Sequence, residues 1–190
     1  AAIAEKKAVL LALGGIPGAT SGGALAGLLG EMSKGKIPPE VQLELLEAAA
    51  RHQAPEVQAA LQAYQTSLPK DDPLAAFRPT VVGGDRERGE TLFREHAAAA
   101  CLRCHKINGS GGEAGPELSG IAAKKDRAYL LASIILPNAQ IAAGFQMMVV
   151  TMKNGDMQAG LLQRENDQEL VLQIPGAPPV DQIGVGYDPE

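Results

Sequence analysis

Residues 101–105 read Cys101-Leu102-Arg103-Cys104-His105, and they hold both cysteines of the 190-residue chain. Two thiols three positions apart, followed at once by an imidazole, have the spacing for covalent haem attachment. Each thiol can add to one vinyl group of the porphyrin. The two intervening residues place both sulfurs on one edge of the ring, and His105 is then held under the iron as an axial ligand. Other readings compete. A thioredoxin-like pair should open a helix after a strand, whereas here an Ala-rich helix precedes the pair and a glycine loop follows. A zinc site needs four ligands, and only His52 and His96 remain to join this cluster. A structural disulfide would close a tiny loop, which gains little.

Composition sets the wider frame. The chain has no Trp, three Tyr and three Phe, so alanine and leucine must supply most of the burial, which favours close-packed helices. Seventeen basic against 22 acidic side chains give a formal charge of -5. That balance argues against an electropositive nucleic-acid groove. No apolar run approaches the ~20 residues of a membrane helix. The opening Ala-Ala-Ile-Ala-Glu-Lys-Lys reads as helix rather than as a secretion signal, so a mature form or a fragment is expected.

Working outward from the motif, four segments are expected. Residues 1–68 read as helical hairpins. Ile3, Val9, Leu10 and Leu13 precede the turn at 14–18, and Leu25, Leu28, Leu29 and Met32 follow over roughly 23–33. Pro38 and Pro39 suit a first helical turn before Val41, Leu43, Leu45 and Leu46. A fourth helix begins near Pro55 and carries Val57, Leu61 and Tyr64. Two stacked hairpins are short for a solenoid, so they are expected to extend a longer array or to pack on the next domain. Residues 69–84, with three prolines and a Gly pair, read as a linker. Residues 85–142 form the haem-binding segment: a helix capped by Asp85, the Cys-His motif, a Gly-rich loop, and a helix from Arg127 to Leu136 stopped by Pro137. Residues 143–190 read as a small antiparallel β unit, with Asn154-Gly155 as its hairpin signal. The fold class is thus mainly α, with helical-repeat hairpins, a haem-binding domain and a C-terminal hairpin or small barrel-like sheet.

Three stretches in order, Gly89-Glu90-Thr91-Leu92-Phe93, then Cys101 to His105, then Gly115-Pro116-Glu117-Leu118, resemble the successive signatures of class I c-type cytochromes. The resemblance implies that the helix bearing Gly89 and Phe93 packs beside the haem, its glycine allowing close contact with another helix. It implies that the Pro116 carbonyl accepts from the His105 side chain and that Leu118 contacts the porphyrin face. Nearly the whole chain is similar to the C-terminal portion of large planctomycete- and verrucomicrobia-type proteins with a haem-binding domain, which join HEAT-like repeats to a cytochrome carrying a β insertion. Ile37-Pro38-Pro39-Glu40-Val41-Gln42-Leu43, Asp72-Pro73-Leu74, Asp126 to Leu131, Pro137-Asn138-Ala139 and Lys153-Asn154-Gly155 carry that likeness.

The same resemblance implies a methionine as sixth ligand, within a Met-Pro segment after the β unit. No Met-Pro pair stands there. Met32 lies on an apolar helix face and reads as core. Period-two alternation sends Met147 and Met148 to opposite strand faces, so only one can face iron. Met148 is the ligand candidate and Met147 the next, beside a reading in which both are core. His96, His52 and a water-bound or open site are the remaining options.

The leading functional reading is a monohaem electron carrier and not an enzyme, with one covalent haem c held by Cys101, Cys104 and His105, and with Pro116 and Leu118 beside it. The alternatives are a haem-bearing subunit or module of a larger dehydrogenase complex, and a small-ligand sensor. Neither gains independent support: Gly14-Gly15 and Gly22-Gly23 lack a preceding strand, and Glu31 and Glu44 read as solvated helix faces. Redox partner proteins are expected, nucleic acid and a transmembrane segment are not. Thioether attachment implies a periplasmic or other extracytoplasmic location.

Overall fold

In the computed structural model, the described residues are 2–166, 169–173 and, for the backbone, 182–185. They divide into two compact units, residues 1–86 with 127–135, and residues 87–126 with 136–190.

The first unit is built on α1 (Ile3–Gly15), α2 (Ala19–Ser33), α3 (Pro39–Arg51) and α4 (Pro55–Ser67). Pro39 and Pro55 open their helices at the first turn, where a missing N–H costs nothing. Helical spacing aligns Leu25, Leu29 and Met32 on α2, Val41, Leu45, Ala48 and Ala49 on α3, and Val57 and Leu61 on α4, all buried in one core with Leu10. Met32 is core, as its position on an apolar face suggests. The α1 stripe is thinner than its sequence implies, because Ile3 and Val9 are exposed. Gly14 accounts for the closeness of α1 to α3: a Cβ there would lie 2.7 Å from the Ala48 Cα.

Two sequence expectations change here. Helix α2 begins at Ala19, not near Gly23. Its two early glycines are tolerated because Gly22 faces a crowded neighbour, where a Cβ would lie 2.7 Å from Glu56 Oε1. Glu44 is not solvated: it is buried against α1 with Oε1 2.7 Å from Lys7 Nζ. Glu31 does lie at the surface, where Lys34 and Lys36 hold its carboxyl below the ordinary range.

The proline-rich 69–84 stretch is folded. Asp72 Oδ1 accepts the Leu74 N–H at 2.9 Å, and Oδ2 accepts from Arg78 Nη2 at 2.7 Å. A 3-10 segment, Ala75–Val81, buries Ala75 and Pro79. Gly83 lies under Leu43 of α3, where a Cβ would come within 2.6 Å of the leucine Cβ.

The second unit contains α5 (Arg86–Glu95, with Arg86 itself in the first), a hairpin of β1 (Lys106–Ile107) and β2 (Ser110–Gly111), and the single turn α6 (Ile121–Lys124). Helix α7 (Arg127–Ile135) belongs to the first unit, with Arg127 donating to the Val81 carbonyl at 3.1 Å. The remainder is a four-stranded antiparallel meander in the order β3 (Met147–Thr151), β4 (Met157–Glu165), β5 (Leu170–Gln173), β6 (Gln182–Val185). It is open: the described residues form no closed barrel. The Asn154-Gly155 signal does mark the β3–β4 connection, although the loop spans 152–156. Gly155, at φ 90°, donates to the Met152 carbonyl at 2.8 Å.

Candidate haem-attachment site

Helix α5 stops at Glu95. The imidazole of His96 turns back, Nδ1 accepting the Ala99 N–H at 3.1 Å. Ala100 then adopts φ 45°, ψ 38°, a left-handed conformation that costs a non-glycine residue about 1–2 kcal/mol. The reversal delivers the chain into a short 3-10 turn, Cys101–Arg103, in which the His105 N–H reaches the Cys101 carbonyl at 2.9 Å. Both thiols are free, Cys101 half-buried and Cys104 exposed.

The residues after His105 fold back over this turn. Asn108 (φ 50°) and Gly109 (φ 78°) form a two-residue primed turn between β1 and β2. Gly112 donates to the Leu102 carbonyl at 2.8 Å, Gly115 to that of Cys104 at 2.7 Å, and Leu118 to that of Lys106 at 2.8 Å. No side chain fits at two of these points. A Cβ on Gly112 would lie 2.0 Å from the Arg103 carbonyl oxygen, and one on Gly115 would lie 2.6 Å from His105 Cε1.

This loop fixes the imidazole. His105 Nδ1 lies 2.9 Å from the Pro116 carbonyl oxygen. A carbonyl only accepts, so Nδ1 carries a proton, and in the neutral ring the lone pair is then on Nε2, which has no hydrogen-bond partner among the described residues. That is the tautomer a metal needs, with the second nitrogen hydrogen-bonded in the usual way. Lys106 pairs with Glu113 across the loop. The contact raises the lysine pKa and lowers that of the glutamate.

The remaining predicted residues are placed as follows. Leu118 is half-buried in the same loop as Pro116. Met148 lies in the middle of β3 opposite Gly160, half-buried, while Met147 pairs with Leu161 and is 58% exposed. Gly89 has nothing within 4 Å of its Cβ position among the described residues, so the close helix contact implied for it is not formed by them. His52 is committed elsewhere. Nδ1 accepts the Ala54 N–H at 3.2 Å, and Nε2 lies 3.1 Å from the Ile16 carbonyl oxygen and 3.2 Å from Ser21 Oγ. It is a buried knot tying α3 to the α1–α2 turn, with neither nitrogen free. The described residues contain no group of three or more His, Cys, Asp or Glu side chains placed to hold a metal ion.

Residues 86–171 match the family model described as cytochrome c. The match supports a c-type cytochrome domain. Proteins of this family bind haem c covalently and generally act as electron carriers, and the cytochrome stretch covers the Cys-His motif, its loop and most of the sheet. No curated protein matches the chain. No helix among the described residues is long and apolar enough to cross a membrane.

The residues present fit a haem. The thiols are free, and the imidazole Nδ1 is hydrogen-bonded to a backbone carbonyl, as in a ligating histidine. No residue from Thr80 to Ala159 is buried, and Leu92 on α5 is 51% exposed.

Proposed function

We propose that this protein is a monohaem electron carrier, with one haem c linked to Cys101 and Cys104, His105 as one axial ligand and Met148 as the other. The observation that carries the reading is the His105 Nδ1–Pro116 contact, since it directs Nε2 to be the ring nitrogen that would meet iron. The bound group supplies reversible one-electron exchange between ferric and ferrous iron. The chain's own residues do the rest. The two cysteines hold the group by its edge, the glycine loop brings backbone to within contact of the imidazole, and Leu118 with Leu92 and Phe93 offers apolar surface that lowers the local dielectric. Hydrogen bonding at His105 Nδ1 would make the imidazole a stronger donor and favour ferric iron, whereas the Met148 thioether as a second ligand would favour ferrous iron.

Thioether attachment takes place outside the cytoplasm, so an extracytoplasmic location belongs to this proposal, as do redox proteins as partners and the HEAT-like character of α1–α4. Pyridine haemochrome spectroscopy together with intact mass tests it, on protein made in a host that can form such linkages. One haem per chain is expected, and a bare-polypeptide mass would end the reading. The long-wavelength charge-transfer band of methionine-ligated ferric haem should be present and should vanish in Met148→Ala. If it survives there and vanishes in Met147→Ala, the ligand assignment moves by one residue.

A further inference from the structure

Behind the Pro116 carbonyl stands a relay of side chains that the haem reading does not use. The Asn108 N–H, in the turn that follows His105 by three residues, donates to Ser119 Oγ at 2.6 Å. The Ser119 hydroxyl in turn donates to Glu117 Oε1, the atom that also accepts the Ser119 N–H at 3.1 Å. The relay therefore joins the strand pair leaving His105 to the segment leaving Pro116. It closes a ring of which the His105–Pro116 hydrogen bond is one side. The backbone bond from the Leu118 N–H to the Lys106 carbonyl runs across the same gap.

We infer that Ser119, with Glu117 as its acceptor, is a positioning residue that sets the strength of the axial imidazole by holding the Pro116 carbonyl against Nδ1. This rests on the haem reading, and it names what tunes the iron there. Pro116 has no N–H of its own with which to fix its orientation, and its two neighbours are Gly115, which must stay without a side chain, and Glu117. A hydroxyl that accepts from one arm of the loop and donates to the other can clamp both. Residues that orient a ligand in this way commonly matter about 10–100-fold for affinity or activity. An exposed clamp such as this one is expected to give a smaller effect.

The test compares two pairs of variants in the full-length, haem-loaded protein, with attachment verified by mass. Ser119→Ala removes the relay, and Ser119→Thr restores its hydroxyl. Glu117→Ala removes the acceptor, and Glu117→Gln keeps an acceptor, so the contrast between these two excludes the charge itself. With Ser119→Ala the Nδ1–H bond should lengthen and the midpoint potential rise. The expected change is about a threefold lower ferric-to-ferrous ratio at fixed applied potential, ~28 mV for one electron. The Nδ1 proton resonance should move upfield relative to the parent, and the Asn108 amide should exchange faster. Thr should return all three readouts towards the parent values, and Glu117→Ala should shift the potential more than Glu117→Gln. A Ser119→Ala protein that carries haem yet keeps the parent potential and Nδ1 resonance overturns the inference and leaves the haem reading standing. If that variant fails to mature, equal potentials in the two Glu117 variants overturn it instead. A parent chain that takes up no haem defeats the haem reading itself. In that case the Asn108 amide in Ser119→Ala still reports whether the relay orders the loop.

Discussion

The helices α1–α4 and the stretch from Thr80 to Ala159 are built by opposite logic. The first closes on ten buried residues, with Leu25, Leu45, Ala48, Ala49 and Val57 fully out of water. The second buries none, and is shaped instead by backbone hydrogen bonds, positive-φ positions and glycines pressed against carbonyls. A region of this kind lacks the apolar burial that offsets the conformational entropy of ordering a chain. On the proposed reading, α1–α4 are held by their own core, whereas the Cys-His loop is shaped by its backbone and would gain apolar contacts from a bound haem.

Removing the thiols should give the largest effect. In Cys101→Ser with Cys104→Ser, covalent attachment is abolished, and amides of residues 101–118 should exchange far faster than in the haem-loaded parent. Amides in α3 and α4 should keep their protection. Equal loss in both regions, read by segment-resolved hydrogen exchange, would break the contrast. Leu45→Ala is the reciprocal test. It opens a cavity in the helical core and should cost about 2–5 kcal/mol in chemical denaturation, with the haem spectrum at ambient temperature unchanged. Leu92→Ala sharpens it further. In haem-free chain the change should stay within about 0.5 kcal/mol, as for a surface residue, and should grow once haem covers the site.

Glycine substitutions separate the regions at finer scale. Gly14→Ala presses a methyl into Ala48 and should cost about 1–3 kcal/mol as overpacking. Gly89→Ala meets nothing among the described residues and should be neutral or gain up to ~1 kcal/mol of helix propensity in haem-free chain. A large loss at Gly89 appearing only with haem bound would reveal the close neighbour that the resemblance implies.

The candidate attachment motif is legible in the sequence because its chemistry is local. Five consecutive residues carry the thiols and the imidazole, and the Pro116 contact is the one that the resemblance implied. The meander was readable from the Val-, Thr- and Met-rich run at 145–153 and from Asn154-Gly155. The hairpin at Asn108-Gly109 carries the same dipeptide signal, hidden by the flanking glycines that make the stretch look like open loop. What could not be read depends on distant neighbours. His52 is fixed by Ile16, 36 positions away, and Glu44 is buried only because Lys7 on another helix meets it. Gly22 and Gly23 break helices by propensity, yet α2 runs through them, since the tertiary fit at Gly22 outweighs a propensity cost of about 1 kcal/mol per glycine.

The smallest effect concerns whether the 69–84 segment shares the well-packed character of the helices it follows. Asp72 is held below its ordinary 3.8 chiefly by Arg78, and then by the Leu74 N–H. A carboxyl with a depressed folded pKa stabilises the fold above its unfolded pKa, and that contribution disappears as pH falls through the folded value. Asp72→Asn keeps an acceptor for Leu74 and removes the charge facing Arg78. The parent should therefore be slightly more stable than the variant at neutral pH, and the gap should close progressively below about pH 3.8. It should also shrink in high salt, since the pair is exposed to solvent. Thermal melts of the two proteins across that acid range measure it, and a gap that stays constant with pH would mean that Arg78 is not what orders the segment. Burial of Ala75 and Pro79, with Gly83 packed under Leu43, would then be what orders it.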